Sequence, residues 1–173
     1  MIKRLTLLVL ALGLSGCGFR PLYGRYGADP HAEAIFGSIY IPPIASDEAG
    51  YNLRNTLMDL LSSRPSWAGA RYRLAISLVQ SRQGIAIEPN ATITRYNYQL
   101  NAHYTLYDVA RGKFVTSGSE ESLSAYNVPP SSATSLYSTL MARRDAQRRA
   151  AEDVAQRIRM DLAVFFAEHR PSS

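Results

Sequence analysis

The longest regular pattern in the chain is an alternation of apolar and polar side chains from Thr92 to Leu106. Even-numbered positions carry Thr, Tyr, Leu and Ala, whereas the odd-numbered positions are mostly Arg, Asn, Gln, His and Thr. Because successive side chains of a β-strand point to opposite faces, this period of two predicts one strand with an inward face and a polar face. At about 3.3 Å per residue, the strand would be on the order of 50 Å long. The fold must therefore be built on unusually long strands that are covered on one face.

The segments on either side predict two more strands in an antiparallel meander. From Arg71 onwards the same alternation holds until the apolar positions shift by one residue near Gly84. Such a shift predicts a β-bulge, for which glycine is a suitable residue. Phe114–Tyr126 follows the turn Asp108–Gly112 and predicts a weaker third strand.

Three further segments complete the predicted fold. Ile35–Ile41 predicts a first strand that ends at Pro42. Leucines at helical spacing predict a helix over 46–63, and a second helix of about 50 Å is predicted over Leu136–His169. The predicted apolar side of this second helix comprises Leu136, Leu140, Ala150, Val154, Ile158, Leu162 and Phe165. The order β-α-β-β-β-α predicts an α+β fold, with two helices packed on one face of a four-stranded, mostly antiparallel mixed sheet.

The N-terminal residues have the parts of a secretory signal peptide. Lys3 and Arg4 precede the apolar run Leu5–Leu14, which is shorter than the roughly 20 residues of a spanning helix. The sequence Leu-Ser-Gly-Cys that ends at Cys17 resembles the bacterial lipobox. Cys17, the only cysteine, is therefore predicted to carry a covalent lipid and to become the mature N-terminus. An ordinary signal peptide with an incidental cysteine is the alternative.

The predicted mature chain has the length of one domain. We assign residues 1–16 to the signal peptide, 17–34 to a lipidated tether, 35–169 to a single α+β domain and 170–173 to a C-terminal tail. Loss of the two basic residues of the signal peptide leaves 17 basic against 14 acidic residues. This modest charge on an exported protein does not favour a nucleic-acid partner. The acyl chains on the N-terminus would anchor the protein to a membrane.

The sequence shows no recognisable pattern for catalysis or metal binding. Its histidines, His31, His103 and His169, are scattered without ligand spacing, and the one cysteine is used for lipidation. A glycine-rich phosphate loop and a Gly-x-Ser-x-Gly motif are both missing from the sequence. We therefore predict a binding protein that has no cofactor or metal and is not an enzyme.

The predicted mature start reads Cys-Gly-Phe-Arg-Pro-Leu-Tyr-Gly over Cys17–Gly24. Together with the lipobox and the β-α-β-β-β-α order, it resembles the LptE family of lipopolysaccharide (LPS) transport. The resemblance implies a non-enzymatic lipoprotein that plugs the LptD barrel, helps it to assemble, and binds LPS for delivery to the outer leaflet. In similar lipoproteins an Asp after the cysteine retains the protein in the inner membrane, so Gly18 implies the outer membrane. Alternatives are an auxiliary component of an ABC-type lipid transporter, a pilot protein of a secretion pore and, more remotely, a periplasmic enzyme.

One set of candidate contacts lies at predicted strand ends and turns, and consists of Arg82, Arg95, Arg111 and Lys113. The forked guanidinium group of arginine matches the geometry of a phosphate group, so these residues are candidates for contact with LPS phosphates. Ordinary surface charge is the alternative.

A second set is proposed to contact the LptD-like barrel: Phe19 and Tyr23 in the tether, with Arg143, Arg144 and Arg148 on the second helix. Acidic residues stand four positions from many of the helix arginines, as in Arg148 and Glu152. A solvent-exposed face with internal salt bridges is therefore the alternative.

Overall fold

The computed structural model describes residues 34–45, 48–63, 67–87, 93–128 and 133–169. The signal peptide, the tether before residue 34, the predicted contacts Cys17, Phe19 and Tyr23, and the tail lie outside the described residues. The elements are β1 (Ile39–Tyr40), α1 (Glu48–Leu60), a 3₁₀ turn (Trp67–Gly69), β2 (Tyr72–Ile87), β3 (Ile93–Asp108), β4 (Lys113–Asn127) and α2 (Ala133–Glu168). Their order and the α+β fold are those predicted.

The sheet has the strand order β1-β2-β3-β4 and is mixed, as predicted. β1 runs parallel to β2, and the other two pairs are antiparallel. β2 and β3 each contain 16 residues and β4 contains 15, so the prediction of long strands is confirmed. The pairing of β2 with β3 is irregular between Gly84 and Ala86, where the sequence predicts the bulge.

The first strand is shorter than predicted, because only Ile39 and Tyr40 pair with β2. Ile35 and Phe36 are both buried, although neighbouring side chains of a strand would face opposite sides. The backbone is instead helical over 34–36 and turns at 37–38, where the Ser38 N–H donates to the carbonyl oxygen of Ile35 at 2.9 Å. Consecutive apolar residues therefore fill the core from a helical segment.

The core lies between the sheet and the helices. α2 packs along β3 and β4, and α1 packs against α2. The even-numbered side chains of β3 from Tyr98 to Leu106 are buried, as the alternation predicts. The contacting side of α2 is rich in buried alanines, which allow its backbone to approach the sheet closely: Ala146, Ala150, Ala151 and Ala155. No helix in the described ranges combines the length and apolar composition that a membrane-spanning helix needs.

The first turns of α2 depart from the predicted apolar side. Leu136 is 77% exposed and Leu140 is largely exposed, whereas Val154, Ile158 and Leu162 are buried as expected. The helix begins beyond the part of the sheet that it covers, so its first apolar side chains meet solvent. At the other end Phe166 is the buried ring, in contact with Phe36 and Tyr72, while Phe165 is only partly buried.

The contact between the sheet and α2 includes one glycine that the packing requires. Gly118 lies opposite Tyr104 in the pairing of β3 with β4. The Tyr104 ring lies over Gly118, and its hydroxyl donates a hydrogen bond of 3.0 Å to Asp161 on α2. A Cβ atom at position 118 would lie 2.5 Å from that hydroxyl oxygen.

We predict that Gly118→Ala destabilises the fold by about 1–3 kcal/mol, because the buried Tyr104 ring must move. A decrease in the free energy of unfolding would be informative, because alanine is ordinarily favoured over glycine inside a strand. The measurement is the free energy of unfolding in urea. Ser119→Ala, on the exposed face, is the control and should change it by less than about 0.5 kcal/mol. Equal values for both variants would contradict the packing argument.

Candidate functional site

A groove of about 260 Å³ opens where the first turns of α2 pass the end of the sheet. Its floor is formed by β2, β3 and β4, and its wall by α2. The lining side chains are Arg82, Tyr96, Tyr126, Val128, Leu136, Thr139, Leu140 and Arg143. The exposed apolar start of α2 and the sheet thus contribute to one site.

The floor of the groove is a pair of tyrosines placed by strand register. Tyr96 and Tyr126 are directly paired across β3 and β4, so their side chains share the helix-covered face. Their rings are stacked, with centroids 5.6 Å apart and planes inclined by 17°. The guanidinium carbon of Arg82 lies 5.1 Å from the centre of the Tyr96 ring, in cation–π geometry. The floor therefore offers an aromatic surface with a positive charge on it.

Two arginines in the groove have no ion-pair partner among the described residues, namely Arg82 and Arg143. Both are exposed. Two other arginines on α2 do form ion pairs: Arg144 pairs with Glu48 of α1 at 3.1 Å, and Arg148 pairs with Asp145 and Glu152. The charges of Arg82 and Arg143 are thus available to an anionic ligand.

This arrangement suits an amphiphile with an anionic head group. Arginine donates paired, charge-assisted hydrogen bonds to phosphate or carboxylate oxygens. Val128, Leu136 and Leu140 offer apolar surface beside these charges. Concave sites that combine apolar walls with a few directed polar groups are typical of ligand binding.

The structure separates the four basic residues predicted to contact phosphate. Arg82 lies in the groove, but Arg95 precedes Tyr96 on β3 and therefore points to the other face of the sheet. Arg111 and Lys113 lie at the opposite end of the sheet, roughly 40 Å away along β3. These four residues cannot bind one head group together.

Arg111 has a structural role in the turn between β3 and β4. Its side chain forms a salt bridge of 3.0 Å with Asp108, and its backbone N–H also donates to that carboxylate. This backbone hydrogen bond, followed by the side-chain contact, lowers the pKa of Asp108. Lys113 is exposed beside it.

Of the three helix arginines predicted to contact a barrel, only Arg143 faces the groove. Arg144 and Arg148 take part in surface ion pairs, which agrees with the alternative of a salt-bridged solvent face. Their predicted contact with a barrel remains a prediction. Which residues lie directly opposite each other depends on strand register, so periodicity does not predict the tyrosine pair. Leu136 and Leu140, four residues apart at the start of a helix, are predicted to lie in the core, whereas the structure exposes both; their spacing is the available signal for this part of the groove.

A cluster of ionisable groups lies farther along the same helix–sheet contact. The Tyr104 hydroxyl donates to Asp161, and burial with this carboxylate raises the pKa of Tyr104. Burial and the neighbouring Asp161 also raise the pKa of Glu120. Asp153, four residues before Arg157, holds the pKa of that guanidinium above its ordinary value. The cluster lies within the helix–sheet contact itself.

Within the described segments, no three His, Cys, Asp or Glu side chains are grouped as metal ligands would be. Every buried side-chain polar atom in those segments has a hydrogen-bond partner. The groove thus combines unpaired charge with apolar surface in one concave site.

The family model described as LptE: Lipopolysaccharide-assembly matches residues 36–162. A candidate lipoprotein from Caulobacter crescentus CB15 has 26% identity and a TM-score of 0.65, over 82% of this chain and 99% of that one. The rare lipoprotein B from Shewanella oneidensis has 14% identity and a TM-score of 0.53, over 76% and 98% of the two chains. A minor lipoprotein from Acinetobacter baumannii has 15% identity and a TM-score of 0.51, over 73% and 88%. The last two show a shared fold. No curated protein matches the chain significantly.

We predict that Glu120→Gln stabilises the protein increasingly as the pH rises from about 4 to about 7. The pKa of Glu120 is raised in the folded state, so its contribution to stability is fully present below the unfolded pKa. That contribution is lost as the pH rises through the pKa of Glu120 in the folded state. Glutamine at this position keeps the hydrogen bond with Asp161 but never acquires the charge. The measurement is urea unfolding of both proteins across this range. Glu121→Gln, on the exposed face, is the control; a stability difference independent of pH would contradict the assignment.

Proposed function

The chain belongs to the LptE lipopolysaccharide-assembly family, and on this premise we propose that it is an outer-membrane lipoprotein that binds LPS. In the proposed role it plugs an LptD-like barrel, helps that barrel to assemble, and offers LPS a site on the way to the outer leaflet. Its action is binding rather than catalysis. A covalent lipid on Cys17 anchors it to the membrane.

The observation that carries the proposal is the groove with its two unpaired arginines. LPS is an amphiphile whose phosphorylated sugars carry several acyl chains. Arg82 and Arg143 match the phosphates, and the exposed leucines of α2 offer surface to an acyl chain. The partly exposed Tyr96 ring, which stacks on the buried Tyr126, suits the apolar face of a sugar, because a tyrosine ring has an apolar surface and a polar tip.

The face of the sheet opposite the helices supports the proposed position inside a wet barrel. Its central positions on β3 are Asn97, Gln99, Asn101 and His103, and all of them have at least partial exposure. Gln99 accepts a hydrogen bond from Ser81 on β2 and donates one to Glu121 on β4. Uncharged polar side chains of this kind can exchange hydrogen bonds with water or with the polar interior of a barrel.

We predict that Arg82→Ala and Arg143→Ala each weaken LPS binding about tenfold, because a charge-assisted hydrogen bond is lost. The measurement is the Kd of the mature chain in an unlipidated Cys17→Ser form. Arg95→Ala and Arg157→Ala are matched controls, since Arg95 points to the other face and Arg157 is paired with Asp153. Unfolding in urea shows whether each variant is intact.

Unchanged affinity in both groove variants would reject the groove as the LPS site. An equal loss in the Arg95→Ala variant would show non-specific electrostatic attraction instead.

We predict that depletion of the protein in its host lowers surface LPS and the yield of mature LptD-like barrel several-fold. The measurements are protease-resistant barrel on gels and surface labelling of LPS. An affinity-tagged, lipidated chain should co-purify with that barrel. Normal LPS export after depletion would contradict the role in assembly, and recovery with an inner-membrane ATPase complex would favour the transporter alternative.

A further inference from the structure

We propose that the end of the sheet opposite the groove is a contact surface for an anionic phospholipid bilayer. This aromatic tip consists of Trp67, Arg73, Tyr107 and Phe114, flanked by Arg71, Arg111 and Lys113. The tip is separate from the groove, and its contact with a bilayer depends on neither LPS binding nor barrel assembly.

Strand pairing places the tip residues in a row. Arg73 is paired with Tyr107, and Tyr107 with Phe114, so the three side chains lie side by side on the uncovered face. Phe114 is 61% exposed and Trp67 is 52% exposed. The Arg73 guanidinium lies 5.9 Å from the centre of the Trp67 ring. A shallow recess of about 240 Å³ lies beside them and is lined by Trp67, Arg73, Tyr107, Asp108, Val109 and Gly112.

The chemistry of the tip fits the boundary between a bilayer and water. Tryptophan and tyrosine concentrate at that boundary, because their rings are apolar and their polar atoms can stay hydrated. Exposed phenylalanine beside them supplies a group that can enter the acyl region. In water, by contrast, a cluster of exposed rings is a cost that monomeric proteins usually avoid.

The charge around the rings selects an anionic surface. Arg71, Arg73 and Lys113 are exposed, and within the described residues none of them forms a salt bridge. The acid beside them, Asp108, is neutralised by Arg111. Basic side chains next to a bilayer are attracted by anionic lipid head groups.

The unpaired basic side chains of the tip favour an anionic bilayer as the occupant, and the first described residues lie at the same end of the sheet. The described chain begins at Ala34 and reaches the tip directly, because the Tyr40 ring lies 5.3 Å from the Trp67 ring. The groove lies roughly 36 Å farther along β3.

Trp67 is the only tryptophan in the chain, so its fluorescence reports on the tip alone. We expect the unlipidated Cys17→Ser protein to show a blue-shifted emission with vesicles of phosphatidylethanolamine and phosphatidylglycerol. Lipids brominated on their acyl chains should quench it. Vesicles of phosphatidylcholine should give a smaller effect. The lipidated full chain, reconstituted in the anionic vesicles, should show the same quenching.

The variants separate the rings from the charges. Phe114→Ser should lower the partition coefficient about tenfold, by loss of a buried apolar side chain. Arg71→Glu and Lys113→Glu should each lower it by about fivefold or more. Leu123→Ser is the matched control for the ring, because Leu123 is 60% exposed on the middle of the same face. Arg148→Glu is the control for charge; both controls should bind as the parent does.

A Trp67 spectrum that does not change with anionic vesicles would overturn the proposal, as would an equal loss of binding in the Leu123→Ser control. Vesicle binding without quenching by brominated lipid would assign adsorption to another surface and would also overturn it. Arg82→Ala and Arg143→Ala should bind vesicles normally. A failure of LPS binding in the groove is thus distinguishable from a failure of the tip.

Discussion

The contact between α2 and the pair β3–β4 is the constraint on which the other features depend. Small buried side chains such as Ala150 let the helix backbone lie close to the sheet, and Val154, Ile158 and Leu162 fill the remaining space. This contact decides which face of the sheet is covered. It also fixes how far α2 extends beyond the sheet, and that extension exposes Leu136 and forms the groove. The proposed ligand site thus arises because α2 begins beyond the part of the sheet that it covers.

Salt bridges divide the arginines discussed above into two groups. Acidic residues on the helices pair with Arg144, Arg148 and Arg157, so most of the charge of these arginines is already compensated. Arg82 and Arg143 differ because the groove that they line holds no acid. A count of basic residues cannot reveal this difference. Only the placement of the acids relative to each guanidinium shows where an anionic ligand gains a new interaction.

Much of the fold could be predicted from local patterns, whereas the site could not. A period of two over the fifteen residues Thr92–Leu106 strongly favours a long strand, and the shift at Gly84 marks the bulge. The groove depends on non-local facts: the register that sets Tyr96 opposite Tyr126, and the point at which α2 meets the sheet. Helical spacing assigns Leu136 to the core, because the spacing gives no information about where the neighbouring sheet ends. For the same reason basic residues at strand ends look equivalent in sequence, although the sheet places them at opposite ends.

The sheet gives the molecule two ends with different surfaces. The pairing of β2, β3 and β4 is nearly continuous, so the three strands form one plate. At one end the plate carries the chain entry, the exposed rings and Lys113; at the other it carries the groove. If the aromatic tip rests on a bilayer, the length of β3 determines the height of the groove above it. Strand geometry suits this purpose, because the rise per residue along a β-strand is nearly constant. The long strands inferred first from the alternation in the sequence would then hold a ligand at a defined distance from the membrane.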